Sequence, residues 1–216
     1  MDSQSLTELE EQAHLIRQAA AGDATALERL LGPYHERLAK TIRLRMDWRL
    51  RGRVDAEDIL QETYLDAARR LSEYAANPGA SFYLWLRGLA GIKMIDAMRH
   101  HLGARKRDAG LEVRLYRQAL PEASSVSLAA QLLGHLTSPS HAAIRSEMQL
   151  KVQGALNAMD PIDREVLVLR HFEHLTNAET AELLEIGKSA ASKRYIVAIK
   201  RLKEVLLDEP GFEDRF

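Results

Sequence analysis

Thr176-Asn177-Ala178-Glu179-Thr180-Ala181-Glu182-Leu183-Leu184-Glu185-Ile186-Gly187-Lys188-Ser189-Ala190-Ala191-Ser192-Lys193-Arg194 decides the fold of the C-terminal part of the chain. Thr176 and Glu179 stand three residues apart, so each side chain can satisfy the other's backbone N–H in a capping box that starts a helix. Ala181, Leu183 and Leu184 supply that helix with an apolar side, and Leu184-Glu185-Ile186-Gly187 makes the turn. A third helix follows from Lys188 to about Leu206. On it Ala191, Tyr195, Ala198 and Leu202 share one face, which must pack inward. Opposite them lie Ser189, Lys193, Ile196 and Lys200, flanked by Ser192 and Lys203. A short helix, a tight turn and a second helix with a cationic outer face form the helix-turn-helix pattern. Small residues at its start, Ser189, Ala190 and Ser192, let it enter a major groove, where Lys193 and Arg194 reach phosphate or base edges. Ile196 on that face suits a thymine methyl or a partner surface.

Outward from this motif the reading stays helical. Asp160-Pro161 provides an N-cap with proline at the first helical position, and Val166-Leu167-Val168-Leu169 makes a buried helix. Apolar residues recur at three- and four-residue spacing through most of the chain. Pro33, Asn77-Pro78-Gly79, Pro121, Ser138-Pro139 and Asp160-Pro161 punctuate it. The expected fold is all-α: two helical domains joined by a flexible linker, the C-terminal one a helix-turn-helix. The expected boundaries are 5–107 for the first domain, 108–141 for the linker and 142–208 for the second. Within the linker, helical content is expected around Leu128 to Leu136.

Composition excludes several classes. The 216 residues contain no cysteine, which removes disulfide scaffolds, Cys-based zinc sites and thiol catalysis. The acidic start, Met1 to Glu11, is no signal peptide, and no uncharged run is apolar enough to span a bilayer, so the cytoplasm is the expected location. The net charge of −1 hides opposed blocks. Residues 81–118 carry net +5 and residues 186–203 net +6, against −3 for 1–80, −5 for 119–185 and −4 beyond 203. A charge block is usually a solvated face until structure gives it a context.

Two segments of the first domain supply that context. From Asp55 to Leu71, Leu60, Tyr64, Ala67, Ala68 and Leu71 fall on one side, the expected core stripe. Asp58, Gln61, Glu62 and Leu65 fall opposite, an acidic and amide-bearing face that suits either solvent or a basic protein partner. Next, Phe82, Tyr83 and Trp85 open a helix that carries Arg87, Lys93, Arg99, His100 and His101 towards Arg105-Lys106-Arg107. Aromatic rings beside cations suit unstacked nucleic acid, with bases on the rings and phosphate on the cations. Helical spacing also makes Phe82, Trp85 and Leu89 core candidates, and both readings apply.

These motifs together resemble bacterial RNA polymerase sigma factors of the extracytoplasmic-function (group IV) class. Asp58-Ile59-Leu60-Gln61-Glu62-Thr63-Tyr64-Leu65 resembles the family's acidic Gln-Glu motif. Ser81-Phe82-Tyr83-Leu84-Trp85-Leu86 resembles its Phe-x-x-Trp-Leu, and Asp96-Ala97-Met98-Arg99 its Asp-x-x-Arg. Arg164-Glu165-Val166-Leu167 and the helix-turn-helix resemble its second conserved domain. The resemblance covers about three-quarters of the chain, and the order and spacing of the motifs make it specific. It implies a factor, not an enzyme and without cofactor or metal, that binds core RNA polymerase at its clamp helices and flap and directs it to promoters. Asp58, Gln61, Glu62 and Leu65 would bind the polymerase. Phe82, Trp85, Lys93, Asp96 and Arg99 would melt and read the minus-ten element. Ser189, Ala190, Ser192, Lys193 and Arg194 would read the minus-thirty-five element. An anti-sigma partner is a further implied possibility.

The chain departs from the family pattern in three places. Gly91-Ile92 replaces the usual Arg-Asn, Ala191-Ser192-Lys193-Arg194 replaces the common Val-Lys-Ser-Arg, and the stretch from Arg43 to Arg53 is unusually rich in arginine. Two other readings compete. A stand-alone helix-turn-helix regulator explains residues 160–202 but leaves the Asp58 helix without a use. An enzyme would need more than His171, Glu173 and His174, since a metal site requires a further ligand at a fixed place.

Overall fold

The computed structural model describes residues 3–50, 52–102, 120–133 and 142–207, and among these the chain is entirely helical. It divides into two compact units, 1–121 and 122–216.

The first unit contains α1 (Ser3–Ala20), α2 (Ala24–Leu31), α3 (His35–Arg45), α4 (Ala56–Ala76) and α5 (Phe82–Leu102). Short 3-10 turns at Gly32–Tyr34 and Trp48–Leu50 precede and follow α3. α1 ends in a turn where Gly22 takes φ +99°, a conformation that favours glycine, and Asp23 N then reaches back to Gln18 O at 3.2 Å. Asp23 also caps α2, its carboxylate accepting from Thr25 N and Ala26 N. α4 is the central element, in contact with α1, α3 and α5. Its buried arc is Ile59, Leu60, Thr63, Asp66, Ala67, Leu71 and Tyr74. This corrects the expected core stripe: Ala68 is exposed and Tyr64 half-buried, while polar Thr63 and Asp66 point inward. With helices on several sides, the covered arc turns towards Thr63 and Asp66, and each polar group finds a partner. Thr63 Oγ1 donates to Ile59 O at 2.7 Å, and Asp66 pairs with Arg70 and Lys93, each at 3.2 Å.

The second unit contains α6 (Ser125–Leu132), α7 (Ala142–Asn157), α8 (Pro161–Leu167), α9 (Asn177–Leu183) and α10 (Lys188–Leu207). A π-helical segment, Val168–Phe172, continues α8. α6 falls in the segment expected to be linker. Ser124 caps it, Leu128, Ala129 and Leu133 are buried, and it packs on α7, so residues 122–133 fold with the second unit. The rest of the expected linker lies outside the described residues, as does Arg105-Lys106-Arg107. Asp160 caps α8 through Ile162 N at 2.9 Å, with Pro161 at the first position as expected. Val166, Leu167, Val168 and Leu169 are buried as expected.

Candidate functional site

On α4 the structure brings Asp58, Gln61, Glu62 and Leu65 together on one exposed face, with Leu65 at 54% exposure. An aliphatic side chain left that open among polar neighbours is an apolar centre with a polar rim, the anatomy of a docking surface. Asp58 has a second task. Its Oδ2 accepts from Asp55 N at 2.9 Å while Asp55 Oδ1 accepts from Asp58 N at 2.8 Å, a capping box that starts the helix. Beside this face Glu57 pairs with Arg43 at 3.4 Å and His35 at 3.5 Å. Burial, reinforced by Glu57, pushes the Tyr64 hydroxyl up to about 12.

The start of α5 builds an aromatic cluster. Phe82 is only 2% exposed, its ring 5.6 Å from Tyr34, 5.6 Å from Tyr74 and 5.5 Å from Trp85. Phe82 is therefore core, one of the two readings expected for it, and exposes almost no ring surface. Trp85 is half-buried and stacks on Tyr74 at 4.7 Å. The two rings help line a cavity of about 250 Å³ together with Arg70, Glu73, Asn77, Gly79 and Ala80. Tyr74 Oη donates to Ala80 O at 2.9 Å and fixes the turn at its mouth. Aromatic walls with an amide, a cation and a carboxylate can hold a planar base and read its edge. Asn77-Pro78-Gly79 was legible as a turn, but nothing in the sequence showed that Arg70, Glu73 and Tyr74 close on it.

Further along α5 the cations are engaged internally. Lys93, expected to contact DNA, forms an ion pair with buried Asp66 and ties α5 to α4. Burial would raise the Asp66 carboxyl, but Lys93 and Arg70 outweigh it and hold the group below its ordinary value. Asp96 is exposed, and Arg99 pairs with it at 3.5 Å. The structure thus does not gather Lys93, Asp96 and Arg99 at the Trp85 cavity.

In the second unit the helix-turn-helix has the expected parts. Thr176 Oγ1 accepts from Glu179 N at 3.1 Å, and Glu179 Oε2 from Thr176 N at 2.7 Å. In the turn Glu185 adopts φ 54°, while its N–H reaches Glu182 O at 3.2 Å and Ile186 N reaches Ala181 O at 3.0 Å. That is a Schellman closure. Arg170 donates to Asn177 Oδ1 at 2.8 Å, and Asn177 donates to Lys188 O at 2.9 Å, which locks α9 to the start of α10. Ala191, Ala198 and Leu202 are buried, and Tyr195 is half-buried beneath the Arg170 guanidinium. Ser189, Lys193, Ile196, Val197 and Lys200 are exposed, Ile196 at 64%, while Ala190 and Ser192 are half-buried. Arg194 departs from expectation. Its guanidinium lies 2.6 Å from Asp163 and 3.4 Å from Asp160, so it clamps α10 to the start of α8. Sequence reading missed Val197, which its position next to Ile196 could have signalled.

Comparison with known proteins agrees with this architecture. A profile described as ECF sigma factor matches residues 9–208. BldN, an ECF RNA polymerase sigma factor of Streptomyces coelicolor, is 27% identical over 195 residues, 90% of this chain and 66% of that protein. The RNA polymerase sigma-H factor of Pseudomonas aeruginosa is 25% identical over 199 residues, 91% of this chain and 94% of that one. The solved structure of CnrH, in complex with the cytosolic domain of CnrY, shares the fold with a TM-score of 0.52 and 20% identity over 93% of this chain and 99% of that one. No helix among the described residues is long and apolar enough to cross a membrane. The chain belongs to the ECF sigma factor family, whose members direct RNA polymerase to promoters and are not stand-alone helix-turn-helix regulators.

Proposed function

We propose that the two units divide promoter recognition between them. The first unit docks on core polymerase through Gln61, Glu62, Leu65 and the outer edge of Asp58. It opens the minus-ten element by seating an unstacked base in the Trp85 cavity, with Phe82 supporting the ring from behind and Asp96 and Arg99 on the helix beyond. The second unit reads the minus-thirty-five element with the exposed face of α10, where Ser189 and Lys193 are joined by Ile196 and Val197. Lys93 and Arg194 act as internal braces of these surfaces, while Ala190 and Ser192 set the close approach of α10. Domain roles follow the expected division of 5–107 and 142–208, with α6 added to the second. The pairing of CnrH with CnrY supports an anti-sigma partner for this chain as well.

The observation that carries the reading is the exposed Gln61–Leu65 stripe on the helix that immediately precedes an aromatic cavity. The test is pull-down with core polymerase followed by run-off transcription on genomic fragments. Gln61→Ala with Leu65→Asp lowers core affinity at least tenfold and removes promoter-dependent transcripts while the helix content is kept. Asp58→Ala is the poorer probe, because it also removes half of a capping box. Full core binding by the double variant would overturn the docking assignment.

A further inference from the structure

The arginine-rich stretch 43–53, with five arginines and one aspartate, has no part in the function proposed above. Some of it is structural. Arg45 is buried and donates to Pro121 O at 3.1 Å, and Arg43 pairs with Glu57 and Glu36. Trp48 is different. At 70% exposure it is the most open large apolar side chain among the described residues. Its surroundings are rigid. Asp47 accepts from Arg49 N at 2.9 Å and pairs with the Arg49 guanidinium at 2.6 Å, which holds the Asp47 carboxyl below the ordinary carboxylate range. Leu50, two residues on, is 1% exposed and anchors the turn in the core. Arg53 Nη1 donates to His101 O at 2.9 Å and secures the turn against the C-terminal end of α5.

An indole held out of the core by a braced turn, inside a stretch of net positive charge, matches the chemistry of a single-stranded nucleic-acid contact. The ring offers a stacking face to any base, and the net positive charge of the stretch favours an anionic strand. We propose that Trp48 is a second stacking post, which takes an unpaired base of the opened promoter, with Arg49 and Arg53 bracing the turn that presents it. This rests on the reading of the first unit as the promoter-opening domain. It adds a contact distinct from the Trp85 cavity, because Trp85 and His101 are separated by sixteen residues of α5. That spacing is about 24 Å along α5 at 1.5 Å per residue, so the braced turn meets the end of the helix opposite to the Trp85 cavity. A protein partner fits less well, because the proposed polymerase face on α4 is acidic and this stretch is basic.

The chain has only two tryptophans, so in a Trp85→Phe background all indole fluorescence comes from Trp48. Titration of that full-length variant at low salt with a 20-nucleotide single strand quenches the emission. The same sequence as blunt duplex leaves it nearly unchanged. In the second arm, holoenzyme is assembled from core polymerase and tested on forked DNA carrying an unpaired non-template tail. Trp48→Ala weakens the forked complex about 5- to 20-fold and the duplex complex less than twofold, and Trp48→Phe keeps most of the affinity. Thermal unfolding of both variants matches the parent, since the side chain is exposed. Absence of quenching together with equal fork affinity for Trp48→Ala overturns the proposal. So does equal loss on fork and duplex, or a loss confined to core binding, which would make the ring a protein contact. Failure of the functional reading itself looks different: the unaltered chain would form no holoenzyme.

Discussion

Helix α10 carries all six cations of one basic block and α5 three of the eight of the other, the remaining five lying outside the described residues, and the two helices use their cations in opposite ways. On α5, Lys93 is held by Asp66, Arg99 by Asp96, and Arg87 is buried. What α5 offers at its start is an aromatic cavity. On α10 only Arg194 is drawn inward, while Lys193 and Arg201 are exposed and Lys200 has only a loose 4.0 Å pair with Glu204. A positive block in a sequence is therefore not yet a DNA surface. It becomes one only where no carboxylate from a neighbouring helix reaches it first. Under the proposed function, the first unit would recognise nucleic acid by shape and stacking, the second by an open cationic and apolar helix face.

The sharpest way to break this contrast is to remove the matching lysines. Lys93→Met leaves buried Asp66 with Arg70 alone and destabilises the first unit by about 2–3 kcal/mol, seen as a lower denaturant midpoint. Adding Asp66→Asn recovers much of the loss, because the uncompensated charge is gone. Lys193→Met changes stability by less than about 0.5 kcal/mol but lowers the salt slope of DNA binding by about one. If Lys93→Met instead leaves stability intact and lowers that slope, α5 is an open cationic reader after all. Acid titration sharpens the same point. The folded protein binds fewer protons at Asp66 than the unfolded chain does, so this carboxylate stabilises the fold above its ordinary pKa near 3.8. That contribution is lost as pH falls further, through the lowered folded value, and Asp66→Asn removes it from the pH profile.

Much of this contrast was beyond the reach of sequence, for identifiable reasons. Local signals were legible: the Thr176–Glu179 box, Asp160 ahead of Pro161, and the Ala191–Ala198–Leu202 face are set by residues within about three turns of one another. The exposed stripe of α4 was legible too, since helical period alone separates Gln61 and Leu65 from Leu60 and Ala67. What failed depends on partners far along the chain. Asp66 meets Lys93 across 27 residues and Arg194 meets Asp163 across 31, and no spacing rule announces either. Phe82 was ambiguous because an aromatic at a helix start packs inward or outward according to neighbours such as Tyr34, which arrives from another helix. The segment around α6 read as linker because Pro121, the serines at 124, 125 and 127 and Ser138-Pro139-Ser140 surround it, and its burial depends on α7.

The Arg194 clamp gives a smaller test of the same contrast. Arg194→Ala removes a partly exposed pair and lowers stability of the second unit by about 1 kcal/mol. A double-mutant cycle with Asp163→Asn returns a coupling of about 0.5 kcal/mol or more. If Arg194→Ala leaves stability unchanged but lowers the salt slope by about one, the guanidinium serves phosphate and the clamp assignment fails.

The smallest expected effects separate the two units by backbone alone. A Cβ at Gly22 or at Gly154 would meet nothing within 4 Å, so neither position resists a side chain by crowding. Gly22 sits at φ +99°, where an L-residue is strained, and Gly22→Ala costs the first unit about 1 kcal/mol. Gly154 lies within α7, where glycine only adds disorder to the unfolded chain, and Gly154→Ala stabilises the second unit by roughly 0.5–1 kcal/mol. Opposite shifts in two chemically identical substitutions can come only from the backbone conformation at each site. Equal signs would mean that the turn after α1 is not in the left-handed conformation, and with it would go the geometry that lets Asp23 close α1 and cap α2 together.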